Sequence, residues 1–219
     1  MRETFRQRAL SEMGLGQGWV RRDPAREVDE GPVRSISAEV MLCRTLDLLE
    51  GLISECVGCD RARGRTRPLP GQGNQKASLM VVDMVPTREE AGLAAALGGQ
   101  AGRLFEQMLF SIGLKRNDIY LAHALRCDGS APTREQCDTC SVFLEKEIEL
   151  VAPKVVMVIA PMGSGVLVKL QNGRLAPKIV EVPHPLLLLS DSSLKKGAWA
   201  SLLAVRDALL ANESEVRAA

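Results

Sequence analysis

Cysteines at metal-ligand spacing and two isolated histidines are the residues of this chain best equipped for chemistry. Cys56 and Cys59 form a CxxC inside "SECVGCDRARGR", beside a run of arginines. A pair of this kind serves as a redox dithiol, as part of a disulfide framework, or as half of a metal site. Cys127, Cys137 and Cys140 follow in the second half, and Cys43 precedes the pair. Four thiolates drawn from this set suit tetrahedral zinc or an iron–sulfur cluster, which spacing alone does not separate. The plain alternative is a set of buried apolar cysteines, the reading that fits Cys43.

Composition narrows the choice. The 219 residues are 46% hydrophobic and 25% charged, the balance of a soluble globular protein with one core. The N-terminus "MRETFRQRAL" lacks the apolar core of a signal peptide, and no long uncharged apolar run follows, so a cytoplasmic location without membrane is expected. Six cysteines there argue for metal or reduced thiols over disulfides. A net charge of +1 leaves little phosphate-binding excess, so DNA contact is expected to be local, weak or through a partner.

The elements that must position the thiols alternate. A helix is expected from Ser37, with Val40, Cys43, Leu46, Leu49 and Ile53 on one face, running into the CxxC. The loop "GRTRPLPGQGN" is too rich in Pro and Gly for regular structure. "ASLMVVD", "DIYLAHAL", "KVVMVIA" and a segment of "APKIVEVPHP" read as four buried strands. Between them lie a helix through Leu104, Met108 and Ile112, ended by Gly113, and a helix opened by a Thr133–Gln136 capping box. A last helix carries Trp199, Leu202, Val205 and Leu209. The pattern predicts an α/β fold, a three-layer αβα sandwich around a four-stranded parallel sheet. Its boundaries are residues 35–212, with an N-terminal partner-binding extension at 1–34 and a tail at 213–219.

The motif order resembles the iron–sulfur (family-4-like) uracil-DNA glycosylases. "CVGCDRARGRTRPLPGQGNQKASLMVV" is similar to their CxxC, arginine, Gly-x-Gly-Asn loop and first strand. "LGGQAGRLFEQMLFSIGLKRNDIYLAHALRC", "CSVFLEKEIELVAPKVVMVIA" and "VEVPHPLLLL" resemble later motifs in the same order, from about Cys56 to Leu209. The resemblance implies a [4Fe-4S] cluster on Cys56, Cys59, Cys127 and Cys140, with zinc as runner-up and Cys137 as a substitute for Cys140.

The resemblance also implies a degenerate active site. Asp83-Met84-Val85-Pro86-Thr87 stands where the family has Gly-Glu-x-Pro-Gly, and Met84 replaces the carboxylate. A thioether accepts no proton, and Asp83, one step earlier along a strand, is expected to point to the opposite side. Leu97 replaces a stacking Phe, His123 an Asn that reads uracil, and His184-Pro185 is followed by Leu186 in place of Ser. Met84 and Leu97 are expected to fill the pocket.

The extension "RALSEMGLGQGWVRRDP" is similar to the N-terminal peptide of the psi subunit of bacterial DNA polymerase III. That resemblance implies docking to the clamp loader through Leu15, Trp19, Arg21 and Arg22, and pairing with a chi-like subunit. The expected function is therefore a non-catalytic, psi-like DNA replication accessory subunit. The alternative is a divergent [4Fe-4S] uracil-DNA glycosylase of base-excision repair, and a DNA-damage-binding pseudoenzyme stands third.

Overall fold

The first helical stretch is interrupted where the sequence reads as continuous. In the computed structural model, which describes residues 36–159 and 177–218 (side chains through 211), it forms two helices, α1 (Ser37–Leu42) and α2 (Leu46–Ser54). The chain turns extended at Cys43, and Thr45 restarts the helix by accepting the Leu48 amide at 3.4 Å. Ser37 is inside α1 and caps nothing; Ile36 holds the cap position. Periodicity misses the break because Val40, Cys43, Leu49 and Ile53 still reach one core, shared with Phe143.

The sheet has five strands in the order β1-β3-β2-β4-β5. These are β1 (Gln72–Gly73), β2 (Leu79–Asp83), β3 (Ile119–His123), β4 (Val155–Ile159) and β5 (Lys178–Glu181). Four run parallel, and β1 adds an antiparallel edge to β3. The expected count of four therefore misses one strand, which sits in the loop read as irregular. Two residues are too few to leave a pattern. Glycine makes this pairing possible: Gly73 has φ +111°, and a Cβ there would lie 2.3 Å from the Ile119 carbonyl oxygen.

Both faces of the sheet are covered. Leu79, Val81, Ile119, Leu121, Val155 and Met157 face a core completed by α4 (Gly99–Ser111), α6 (Pro185–Ser190) and α7 (Lys195–Ala218). Met80, Val82, Tyr120, Ala122, Val156 and Val158 face α5 (Arg134–Val151) through Leu144, Ile148 and Val151. The Thr133–Gln136 capping box is present, and α5 ends at Ala152 in the left-handed region before Pro153. Leu202 and Val205 of α7 are buried, but Trp199 is 46% exposed and is not a core residue.

A short helix that the strand–helix pattern passes over, α3 (Arg88–Leu93), follows β2 and is opened by a Thr87–Glu90 capping box. The order β3-β2-β4 reverses direction at β2. Ligands of open α/β sheets bind beyond the carboxyl ends of strands at such a switch point. No helix among the described residues is long and apolar enough to cross a membrane.

Candidate functional site

At that switch point Asp83 ends β2 and His123 ends β3, and the two are register partners on adjacent strands. Asp83 shares its sheet face with Leu79 and Val81, so its side chain faces α4 and α6. The expectation that it points away is thus corrected: Asp83 and Met84 both line the cleft, because the strand ends at Asp83 and the chain turns there.

The cleft encloses about 760 Å³ and is walled by Asp83, Met84, Glu90, Leu97, His184 and Leu187. Met84 and Leu97 therefore do not close it. Leu97 has φ +50° and is held from several sides. Its amide donates to Glu90 Oε1 at 2.5 Å, and its carbonyl accepts from Arg116 at 3.3 Å. Gln72, on the edge strand, donates to the Ala94 carbonyl at 2.6 Å and braces the same loop. A Cβ at Gly102 would lie 2.1 Å from the Leu97 oxygen, so α4 can approach this loop only with glycine there.

His184 caps α6. Its Nδ1 accepts the Leu186 amide at 3.1 Å, which leaves the proton of the neutral ring on Nε2. That Nε2 lies 3.3 Å from Asp83 Oδ2, while Asp83 Oδ1 accepts the Met84 amide at 2.7 Å. The carboxylate is held on both oxygens and faces the cleft.

His123 is fully buried, and neither ring nitrogen has a hydrogen-bond partner. Burial pushes its pKa down, against the pull of Asp83 and Glu90, so the ring is neutral. Ligand atoms of Asp83, Glu90 and His123 lie within 4.8 Å of one another. Glu90 is the member of this group that the sequence reading missed. Its signal was the Thr-x-x-Glu of a capping box at Thr87.

The cysteine site occupies another part of the domain, and the arginine run beside the CxxC builds it. Arg61 donates to the Cys127 carbonyl at 3.2 Å and to Gln136 and Ser130. Arg65 donates to the Cys56 carbonyl at 2.6 Å and contacts Cys127 Sγ at 3.4 Å. Thr66 is bound to Asp128 through its amide at 2.8 Å. These bonds fasten the CxxC loop to the turn after β3.

Charge interactions through space link Cys56 with Cys59, and Cys127 and Cys140 with Cys56. Burial raises the Cys56 and Cys127 thiols and lifts Cys140 to about 11, with Arg65 acting against this at Cys127 and Arg126 at Cys140. Among the described residues no three of the sulfurs come within 4.8 Å of one another. One tetrahedral zinc, with Zn–S near 2.3 Å, would need sulfurs about 3.8 Å apart. The donor set fits a larger, thiolate-bound group. Cys137 lies one turn before Cys140 on α5, partly buried against the sheet core.

Beneath the thiols, Arg126 and Glu147 form a buried ion pair at 2.5 Å. Tyr120 Oη donates to Glu147 Oε1 at 3.3 Å, and the Gly71 amide donates to the same oxygen at 3.1 Å. The expected docking residues Leu15, Trp19, Arg21 and Arg22 lie outside the described residues.

Residues 70–205 match the family model described as the uracil DNA glycosylase superfamily. The chain belongs to the uracil-DNA glycosylase superfamily. It is 34% identical over 116 residues to a type-4 uracil-DNA glycosylase of Archaeoglobus fulgidus, a match covering 52% of this chain and 58% of that protein. A type-4 enzyme of Thermotoga maritima is 25% identical over 163 residues, 68% of this chain and 85% of that protein. A type-5 uracil-DNA glycosylase of Mycobacterium leprae is 26% identical over 152 residues, 59% of this chain and 66% of that protein. These relatives overturn the expectation of a non-catalytic, psi-like replication subunit. The superfamily match at residues 70–205 spans the sheet and the cleft-lining segments, and the open, carboxylate-bearing cleft removes the physical ground for a filled pocket.

Proposed function

We propose that this chain is a [4Fe-4S] uracil-DNA glycosylase that removes uracil from DNA by hydrolysis. The observation that carries the reading is the Asp83 carboxylate, oriented into the cleft by His184 Nε2–H and the Met84 amide. It supplies the acceptor that Met84 cannot.

In hydrolysis of the glycosidic bond, water oxygen bonds to the sugar carbon C1′ as the bond to uracil N1 breaks. The base leaves with the electron pair and is then protonated. Asp83 orients the water and takes its proton. His184 Nε2–H, 3.3 Å from Asp83, donates either to that carboxylate or to an anionic oxygen of the departing base. The cleft lies in the size range of small-molecule sites and accommodates a base extruded from the stack.

Cys56, Cys59, Cys127 and Cys140 would hold the cluster. Ligation by these four thiolates would tie the CxxC loop to the turn after β3 and to α5, and so brace the cleft wall at Gly129–Pro132, which follows Cys127. Arg61 and Arg65 hold the thiol-bearing segments together.

The deciding experiment is uracil release from single-stranded and duplex DNA by purified, cluster-loaded protein. Wild type is expected to release the base, and Asp83→Asn to lose about 10²–10⁴ of the rate, the usual contribution of a positioned acid–base group. No release by wild type, or full release by Asp83→Asn, defeats the assignment.

A further inference from the structure

Asp83 and Glu90 line the cleft, and His123, fully buried beside them, has no hydrogen-bond partner on its ring. Asp83 and Glu90 are 6% and 7% exposed. Among the described residues, no Lys or Arg forms an ion pair with either one. His184 meets Asp83 as a neutral donor, since its Nδ1 is occupied by the Leu186 amide. The buried guanidinium of Arg126 is already paired with Glu147. Two buried negative charges without a counter-charge are costly, and proteins relieve such a site with a proton or a cation.

His123 adds a nitrogen ligand to the pair. It is fully buried, and neither ring nitrogen donates to or accepts from any neighbour. The unpartnered imidazole, with one nitrogen in the group that lies within 4.8 Å, leaves a ring lone pair free to take a cation beside the carboxylates.

The carboxylates are fixed in place for ligation. Glu90 accepts the Thr87 amide at 2.6 Å and the Leu97 amide at 2.5 Å, one on each oxygen, and Asp83 accepts the Met84 amide at 2.7 Å. Every one of these oxygens keeps a lone pair. Backbone donors that orient ligating carboxylates are a regular feature of metal sites.

We infer that Asp83, Glu90 and His123 form a binding site for one divalent first-row metal cation where the two carboxylates line the cleft. One imidazole and two carboxylates suit Mn²⁺, Fe²⁺ or Zn²⁺, and the site is separate from the cysteines in both residues and ligand type. The inference concerns binding and stands apart from the glycosylase reading.

Mn²⁺ is the probe, because it prefers oxygen and nitrogen and does not compete for cysteine thiolates. Cluster-loaded protein is titrated with Mn²⁺ while the electron paramagnetic resonance signal of the free ion is followed, with thermal unfolding in parallel. Wild type is expected to bind one Mn²⁺ per chain and to melt at a higher temperature with it. His123→Asn and, independently, Asp83→Asn are expected to weaken binding by at least about tenfold and to lose the thermal shift. Should His123→Asn fold poorly, Asp83→Asn, on the cleft wall, decides alone. Absence of a stoichiometric site in wild type, or binding by Asp83→Asn as tight as wild type, overturns the inference. Uracil release is scored on the same samples. Excision without Mn²⁺ binding removes the cation site and leaves the glycosylase, and binding without excision does the reverse.

Discussion

His184 Nε2 lies 3.3 Å from Asp83 Oδ2, and the same ring caps α6 through Nδ1. One side chain thereby fixes both a helix start and the donor that faces the carboxylate. The two roles are separable. Asn is a good N-cap and keeps the first role, yet it is too short for the second. His184→Asn is expected to unfold in urea within about 0.5 kcal/mol of wild type, whereas His184→Ala loses about 1 kcal/mol. Both should lower uracil release by about a hundredfold. Wild-type release by His184→Asn would leave His184 with a capping role alone.

The cysteine assignment predicts a visible property. Protein purified without air should be brown, with broad absorption, and Cys56→Ser or Cys127→Ser should bleach and destabilise it. Cys137→Ser should keep its colour. Colourless, well-folded wild type with one zinc per chain would refute the cluster, and bleaching by Cys137→Ser would move the fourth ligand.

Arg126 and Glu147 make a stability prediction. Both are about 1% exposed, so removing one charge strands the other in the core. Glu147→Gln is expected to cost about 3–5 kcal/mol in urea unfolding. Arg126→Met combined with Glu147→Leu should cost markedly less, because no charge is then stranded. A double variant as unstable as the single one would show that packing, not charge burial, dominates.

Leu186 and Leu189, 53% and 48% exposed, stand with Leu93 at the lip of the cleft. Exposed leucines beside the cleft proposed to take the base fit an apolar wedge that enters the stack of a duplex. Leu186→Ala with Leu189→Ala is expected to slow uracil release from duplex DNA by tenfold or more while changing release from single strands by less than about threefold, since unstacking costs a few kcal/mol only in the duplex. Equal loss on both substrates would argue against the wedge.

Much of the framework was legible in the chain because it rests on local rules. The apolar runs at Leu79–Asp83, Ile119–His123 and Val155–Ile159 are strands buried on both faces, and the Thr133–Gln136 box opens α5 as its spacing requires. The CxxC and the later cysteines offer a candidate thiolate site in the same way, since ligand type and spacing are written in sequence. The Thr87–Glu90 box was equally readable, but nothing local said that its glutamate would also face a cleft.

Tertiary structure decided the rest. Whether Asp83 points at the site depends on where β2 ends and which helices cover that face, and a one-residue alignment step says nothing about either. Leu97 leaves the cleft open because Glu90, Arg116, Gln72 and Gly102 hold its loop back, contacts drawn from four separate segments. The edge strand at Gln72–Gly73 exists because Tyr120 and Leu121 offer it partners across the fold. Residue type fixes what a group can do chemically. What it faces is set by contacts far apart in the chain, and here those contacts decided that the Asp83 carboxylate faces the cleft.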